Sequence, residues 1–210
     1  MVMIDEAAIP YTNRNDLTRM EILAINHYKD LINPQFSWDY APEEQIYTGI
    51  DCHIVNNILR NNKNPKEKLR YDNLTQADKI RYTRIEKHVE SAIRKSPLPY
   101  EKLRVVKGIK PFSDLTNYKE GDIISDLAFS SYTESKEKAF EYSMKNENGE
   151  YVFFYLTLKR GDLALYVDTD EEEWLIICKK HLAILSINHY GAGEWIDEGK
   201  AIVYYLKLLT

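Results

Sequence analysis

The sequence predicts an α+β fold, with a helical N-terminal lobe over residues 1–97 leading into a mostly antiparallel β core over 98–210. Three observations carry this. Apolar residues recur at the 3.6-residue helical period through the first hundred positions. The segment Ser96-Pro97-Leu98-Pro99 then ends that pattern, because proline blocks helix continuation and biases its predecessor toward extended backbone. Beyond it the apolar period becomes two, the signature of half-buried strands.

Leu17, Met20, Ala24, His27, Tyr28 and Leu31 lie on one face of a first helix, with Asn15 or Asp16 as its cap. Thr48 followed by Asp51 is a capping-box pattern ahead of Ile50, Ile54 and Ile58. A polar loop over 61–66 follows, and Thr75 with Asp78 repeats the cap before Tyr82, Ile85, Val89, Ala92 and Ile93. Strands are expected over 103–107, 123–132, 151–158, 163–167, 174–178, 181–187 and 201–208. One short helix interrupts them, capped by Thr133 and running through Lys138, Ala139 and Tyr142. No internal repeat appears, so the 210 residues read as a single domain.

Composition narrows the function classes. A net charge of −5 and a pI near 5.6 argue against nucleic acid or a membrane surface as partner. No stretch of about 18 apolar residues predicts a membrane span, and the start Met1-Val2-Met3-Ile4-Asp5-Glu6 has no signal-peptide pattern, so a cytoplasmic site of action is expected, whether of an effector or of a domain cut from a longer secreted chain. Cys52 and Cys178 are too few and too distant for a disulfide framework and read as free thiols. His27, His53, His88, His181 and His189 show no ligand spacing, so no metal is expected. Neither a G-x-G-x-x-G fingerprint nor a P-loop occurs, which excludes the dinucleotide-binding α/β and nucleoside-triphosphatase readings.

One junction stands out. Asp170, Glu171, Glu172 and Glu173 run straight into Trp174-Leu175-Ile176-Ile177-Cys178. Adjacent carboxylates repel, so an acidic run heading an apolar strand is unusual unless the charge is used. In an extended chain Glu171 and Glu173 point to one side and Glu172 to the other. Two further marks precede it on separate predicted strands: Leu103-Arg104-Val105-Val106-Lys107-Gly108-Ile109, and Phe129-Ser130-Ser131-Tyr132-Thr133 ahead of a helix.

This ordered series resembles the Arg–Ser–Glu class of mono-ADP-ribosyltransferases, the exoenzyme-type toxins and their phage-encoded relatives. That family has Tyr-Arg-Gly on a first strand, Phe-x-Ser-Thr-Ser before a helix, and Glu-x-Glu ahead of an apolar strand. Tyr47-Thr48-Gly49 with Val55-Asn56-Asn57-Ile58-Leu59-Arg60 resembles its N-terminal segment. Lys159-Arg160-Gly161-Asp162 resembles the turn joining two of its core strands, so the similarity covers roughly residues 45 to 208.

The resemblance implies an ADP-ribosyltransferase-like fold with two sheets, NAD as co-substrate, and transfer of ADP-ribose to an arginine of a target protein. It implies catalytic roles for Glu173, Glu171 and Ser131, and cofactor contacts from Lys107, Gly108, Ser131, Phe129, Asn57 and Arg60. Glu173 would stabilise the oxocarbenium-like ribose as nicotinamide departs. Ser131 would orient it, and Glu171 would grip a guanidinium and take its proton. The chain departs from the pattern at Lys107, which stands in the arginine position, and at Tyr132 and Thr133, which replace Thr and Ser. Lysine lacks the planar fork with which arginine meets phosphates. An NAD glycohydrolase, with water as acceptor, and a weakly active or non-catalytic NAD-binding or partner-binding module therefore stand as alternatives.

Overall fold

A computed structural model describes residues 16–29, 51–60, 72–110, 115–168 and 172–209. The helical part contains α1 (Arg19–Tyr28), α2 (Asp51–Leu59) and α3 (Gln76–Arg94). The cap of α1 is Thr18, not Asn15 or Asp16: its hydroxyl accepts the Glu21 N–H while the Glu21 carboxylate accepts the Thr18 N–H, a complete capping box. Thr75 caps α3 as expected, its hydroxyl accepting the Asp78 N–H at 3.1 Å. Thr48 and the 61–66 loop lie outside the described residues.

The β part comprises β1 (Lys102–Ile109), β2 (Ile123–Asp126), β3 (Ser130–Thr133), α4 (Lys136–Glu141), β4 (Tyr151–Lys159), β5 (Ala164–Asp168), β6 (Glu173–Ile176), β7 (Lys180–Tyr190) and β8 (Ala201–Leu209). The strand expected over 123–132 is two strands. Ala128 donates its N–H to Asp126 Oδ1 at 3.1 Å and Phe129 donates to Asn56 Oδ1 at 3.1 Å, so side chains take these donors and the ladder breaks. The cap of α4 is Ser135 and not Thr133, because β3 continues through Thr133, whose hydroxyl instead accepts the Ser135 N–H at 3.0 Å.

Hydrogen bonding joins all eight strands into one sheet, in the order β2-β7-β8-β4-β1-β3-β6-β5, rather than the two expected. Every pairing is antiparallel except β4 with β8. The largest strand core unites Ile124 of β2, Leu182 of β7, Leu206 of β8, Val105 of β1 and Tyr166 of β5, and among the described residues no α-helix contributes to it. Strands across the whole order, from β2 at one edge to β5 at the other, thus contribute to one strand core.

The opposite face of β5 and β6 receives the helical lobe. Leu165, Val167 and Leu175 join Leu23, Ala24, Ile54, Ile85, Val89 and Ala92 in a second core. Each fully buried aliphatic there is worth about 1.5–3 kcal/mol of transfer free energy. This docking brings the C-terminal end of α1 to the head of β6, where Lys29 meets Glu173, and that of α2 to the start of β3, where Arg60 meets Asp126.

Candidate active site at the head of β6

Glu173 opens β6 and is buried, at 3% exposure. Across the antiparallel β3–β6 pair, Thr133 faces Glu173 and Ser131 faces Leu175. Residues paired across strands share a face, so Ser131, Thr133 and Glu173 project together, with Ser131 on the diagonal from Glu173. Lys29, the C-cap of α1, reaches into this position and forms an ion pair with Glu173 Oε2. Glu171 lies outside the described residues. Glu172 has φ of 48°, a left-handed turn conformation, so the extended-chain argument for aiming Glu171 and Glu173 alike does not hold at this corner.

A second cluster gathers at the start of β3. Asp126 accepts from Lys180 Nζ at 3.0 Å and from the Ser130 hydroxyl, and pairs with Arg60 at 3.5 Å. Lys180 also donates to the Ala128 carbonyl at 2.8 Å and to Ser130 Oγ at 3.0 Å. Burial alone would raise the Asp126 carboxyl, but Lys180, Lys107, the Ser130 hydroxyl and Arg60 together hold it down at about 2. Burial lowers the Lys180 ammonium, opposed by Asp126.

Val106 of β1 is in register with Thr133, which places Val106 on the Glu173 side of the sheet and turns Lys107 the other way. There Lys107 Nζ lies 5.6 Å from the centre of the Tyr132 ring. Burial brings its ammonium down to about 8, with Asp126 opposing and Lys180 and Arg60 adding to the fall; Glu173 is close enough to oppose as well. The structure thus joins Ser131 with Glu173 and links Lys107 to the Asp126 cluster, without setting Lys107 on the face of Glu173.

The other expected contacts sort by burial. Phe129 is buried and meets Tyr28 edge-on at 5.7 Å, so it braces α1. Asn57 is buried in α2, whereas Arg60 is exposed at the helix end beside Asp126. Gly108 has a packing role: a Cβ there would stand 2.6 Å from Ser143 N and closer still to the Ala139 carbonyl of α4.

Sequence reasoning missed Lys29, Asn56, Asp126 and Lys180. Asn56 accepts the Phe129 N–H and donates to the Tyr28 hydroxyl at 2.8 Å, tying α2 to both α1 and β3. Lys180 was recoverable from strand parity, since it shares the inward side of β7 with Leu182 and Ile184. Lys29 carries no such signal, for its partner lies 144 residues away. Chemically, the arrangement offers a buried carboxylate beside a serine on one side and a cation-rich cluster within electrostatic reach. Among the described residues no group of His, Cys, Asp and Glu is arranged to hold a metal ion.

No protein-family model and no curated protein matches this sequence. Solved structures do. The enzymatic component C2-I of the C2 toxin from Clostridium botulinum aligns with a TM-score of 0.61 and 17% identity over 94% of this chain. The ADP-ribosylating toxin BECa of C. perfringens, solved with NADH, aligns at 0.62 and 16% over 93% of the chain. The C3 exoenzyme of Clostridium limosum aligns at 0.59 and 12%, covering 93% of this chain and 87% of its own. The chain spans 44% of the length of C2-I. At these identities the likeness is one of fold: the chain has the ADP-ribosyltransferase fold.

Proposed function

We propose that this chain, built on the ADP-ribosyltransferase fold, is an NAD-dependent mono-ADP-ribosyltransferase that cleaves the nicotinamide–ribose bond and passes ADP-ribose to an arginine of a protein. The observation that carries the reading is the placement of Ser131 diagonally from Glu173 on one face of β3–β6, at the head of an apolar strand. Nicotinamide leaves with the bonding electron pair, and Glu173 stabilises the positive charge that develops on the ribose. Ser131 orients the carboxylate and the ribose. Arg60, exposed at the end of α2, and Lys107 supply positive charge for the diphosphate. A guanidine nitrogen then bonds to the ribose carbon, and Glu171 receives its proton. The neighbour BECa was solved with NADH, which supports a dinucleotide as the ligand of this fold.

A non-catalytic NAD-binding module is the second reading, favoured by the orientation of Lys107 away from Glu173. Nicotinamide release from NAD, measured with and without agmatine as an arginine analogue, separates the two. Release that depends on Glu173 and yields ADP-ribosylated agmatine supports the transferase. Release yielding free ADP-ribose alone indicates a glycohydrolase, and NAD binding without release indicates the module.

A further inference from the structure

We propose that Lys29 is a positioning residue for Glu173, its ammonium holding the β6 carboxylate ionised and aimed from the C-terminal end of α1. The inference rests on the reading of Glu173 as the carboxylate that stabilises the ribose cation. Glu173 is 3% exposed, and a carboxylate so removed from water is costly to keep charged unless it is paired. Lys29 supplies that pairing from a well-anchored place. Its backbone N–H closes α1 on the Ile25 carbonyl at 2.9 Å, and the neighbouring Tyr28 is buried against Phe129 and hydrogen-bonded to Asn56. The ammonium is thus delivered by a helix end fixed to the same β3 segment that carries Ser131.

The remaining groups around Glu173 do not replace it. Tyr28, from α1, stays a neutral phenol because burial and the charge of Glu173 hold its hydroxyl up. Lys107, from β1, is turned to the other side of the sheet. Asp168 of β5 stands in register with Glu173, Thr133 of β3 is uncharged, and Glu172 is exposed. Lys29 forms the ion pair seen with this carboxylate among the described residues. A carboxylate has about four lone-pair sites, so one ammonium on Oε2 does not exhaust its capacity toward a developing cation.

The test reads the pair with and without turnover. The Glu173 carboxyl is followed by 13C NMR in glutamate-labelled protein, assigned by its loss in Glu173→Gln, across the wild type, Lys29→Met and Lys29→Arg. Nicotinamide release is followed over the same pH range. The wild-type carboxyl is expected to titrate at or below the ordinary value of about 4.3. Lys29→Met is expected to raise the midpoint by about one unit or more, carrying the acid limb of the rate profile upward with it. Lys29→Arg is expected to restore both.

Lys29→Gln, which keeps length and polarity, serves if Lys29→Met does not fold. A wild-type Glu173 that titrates above the ordinary range would overturn the inference without any variant. An inactive Glu173→Gln beside a Lys29→Met of unchanged titration and rate profile would overturn it while leaving the reading of Glu173 intact. A Glu173→Gln as active as wild type, or a wild type without turnover, would remove that reading and the inference with it.

Discussion

Ser131 lies diagonally across the β3–β6 pair from Glu173, and the register Thr133 to Glu173 and Ser131 to Leu175 puts both side chains on one face of the sheet. Four-residue strands leave little freedom to slip, since a one-residue shift would send Glu173 into the apolar face beside Trp174 and Ile176. The relationship is a product of register.

Replacing the carboxylate while keeping its shape should remove the reaction and leave the fold. Glu173→Gln is expected to cut nicotinamide release by about 10²- to 10³-fold, the usual loss when one transition-state partner is removed. Ser131→Ala is expected to cost less, since Ser131 orients and does not carry charge. Steady-state rates beside a thermal melt of each variant check this.

Lys107 gives a pH signature. Its ammonium, brought down to about 8, is charged below that pH and neutral above it. If it attracts the diphosphate, KM for NAD should rise as pH climbs from 7 to 9.5. Lys107→Arg, which stays protonated throughout, should flatten that rise. A KM profile identical in both proteins would exclude Lys107 from substrate binding.

Much of this was legible in the sequence, and the rest failed for identifiable reasons. Period and punctuation placed α3 and its cap, because Thr75 and Asp78 act within four residues. The split of the 123–132 strand was not visible, since Asn56 from α2 takes the Phe129 N–H from 73 residues away. The single sheet was missed because strand patterns report burial and not hydrogen-bond continuity. The placement of Ser131 and Glu173 on separate strands was readable from motif order, whereas Lys29 acquires its partner only through the tertiary fold.

Acid should weaken the fold through two carboxylates, the buried Glu21 and the half-buried Asp126. Asp126 and Glu21 are both held at about 2, the latter by Ser91, Thr18 and Lys95 against the opposing effect of burial. Their folded values lie below the unfolded ones, so the stabilisation is full above about pH 5 and is lost as pH falls toward 2. Asp126 contributes about 2 kcal/mol to this. Urea unfolding of Asp126→Asn should show a shallower decline between pH 5 and 2 than the wild type.

Lys180 should be needed for stability through its partner. Lys180→Met removes the buried ammonium from Asp126, which keeps Arg60 and the Ser130 hydroxyl, and is expected to cost about 1–3 kcal/mol. The double variant Asp126→Asn with Lys180→Met should recover a substantial part. Simple additivity of the two single losses would contradict the coupling seen at 3.0 Å.

Gly108 should be intolerant for steric reasons. Gly108→Ala drives a methyl against Ala139 and Ser143 of the α4 turn and is expected to destabilise by about 1–3 kcal/mol. The same loss should appear whether or not NAD is present, because the contact is with backbone.

The most direct measurement is nicotinamide release from NAD by wild type and Glu173→Gln, each with and without agmatine, with the products identified. Glu173-dependent release that increases with agmatine and yields ADP-ribosylated agmatine is the predicted result. Equal release by both proteins, or binding of NAD with no release by a folded wild type, would contradict the assignment of Glu173 as the carboxylate on which the reaction turns.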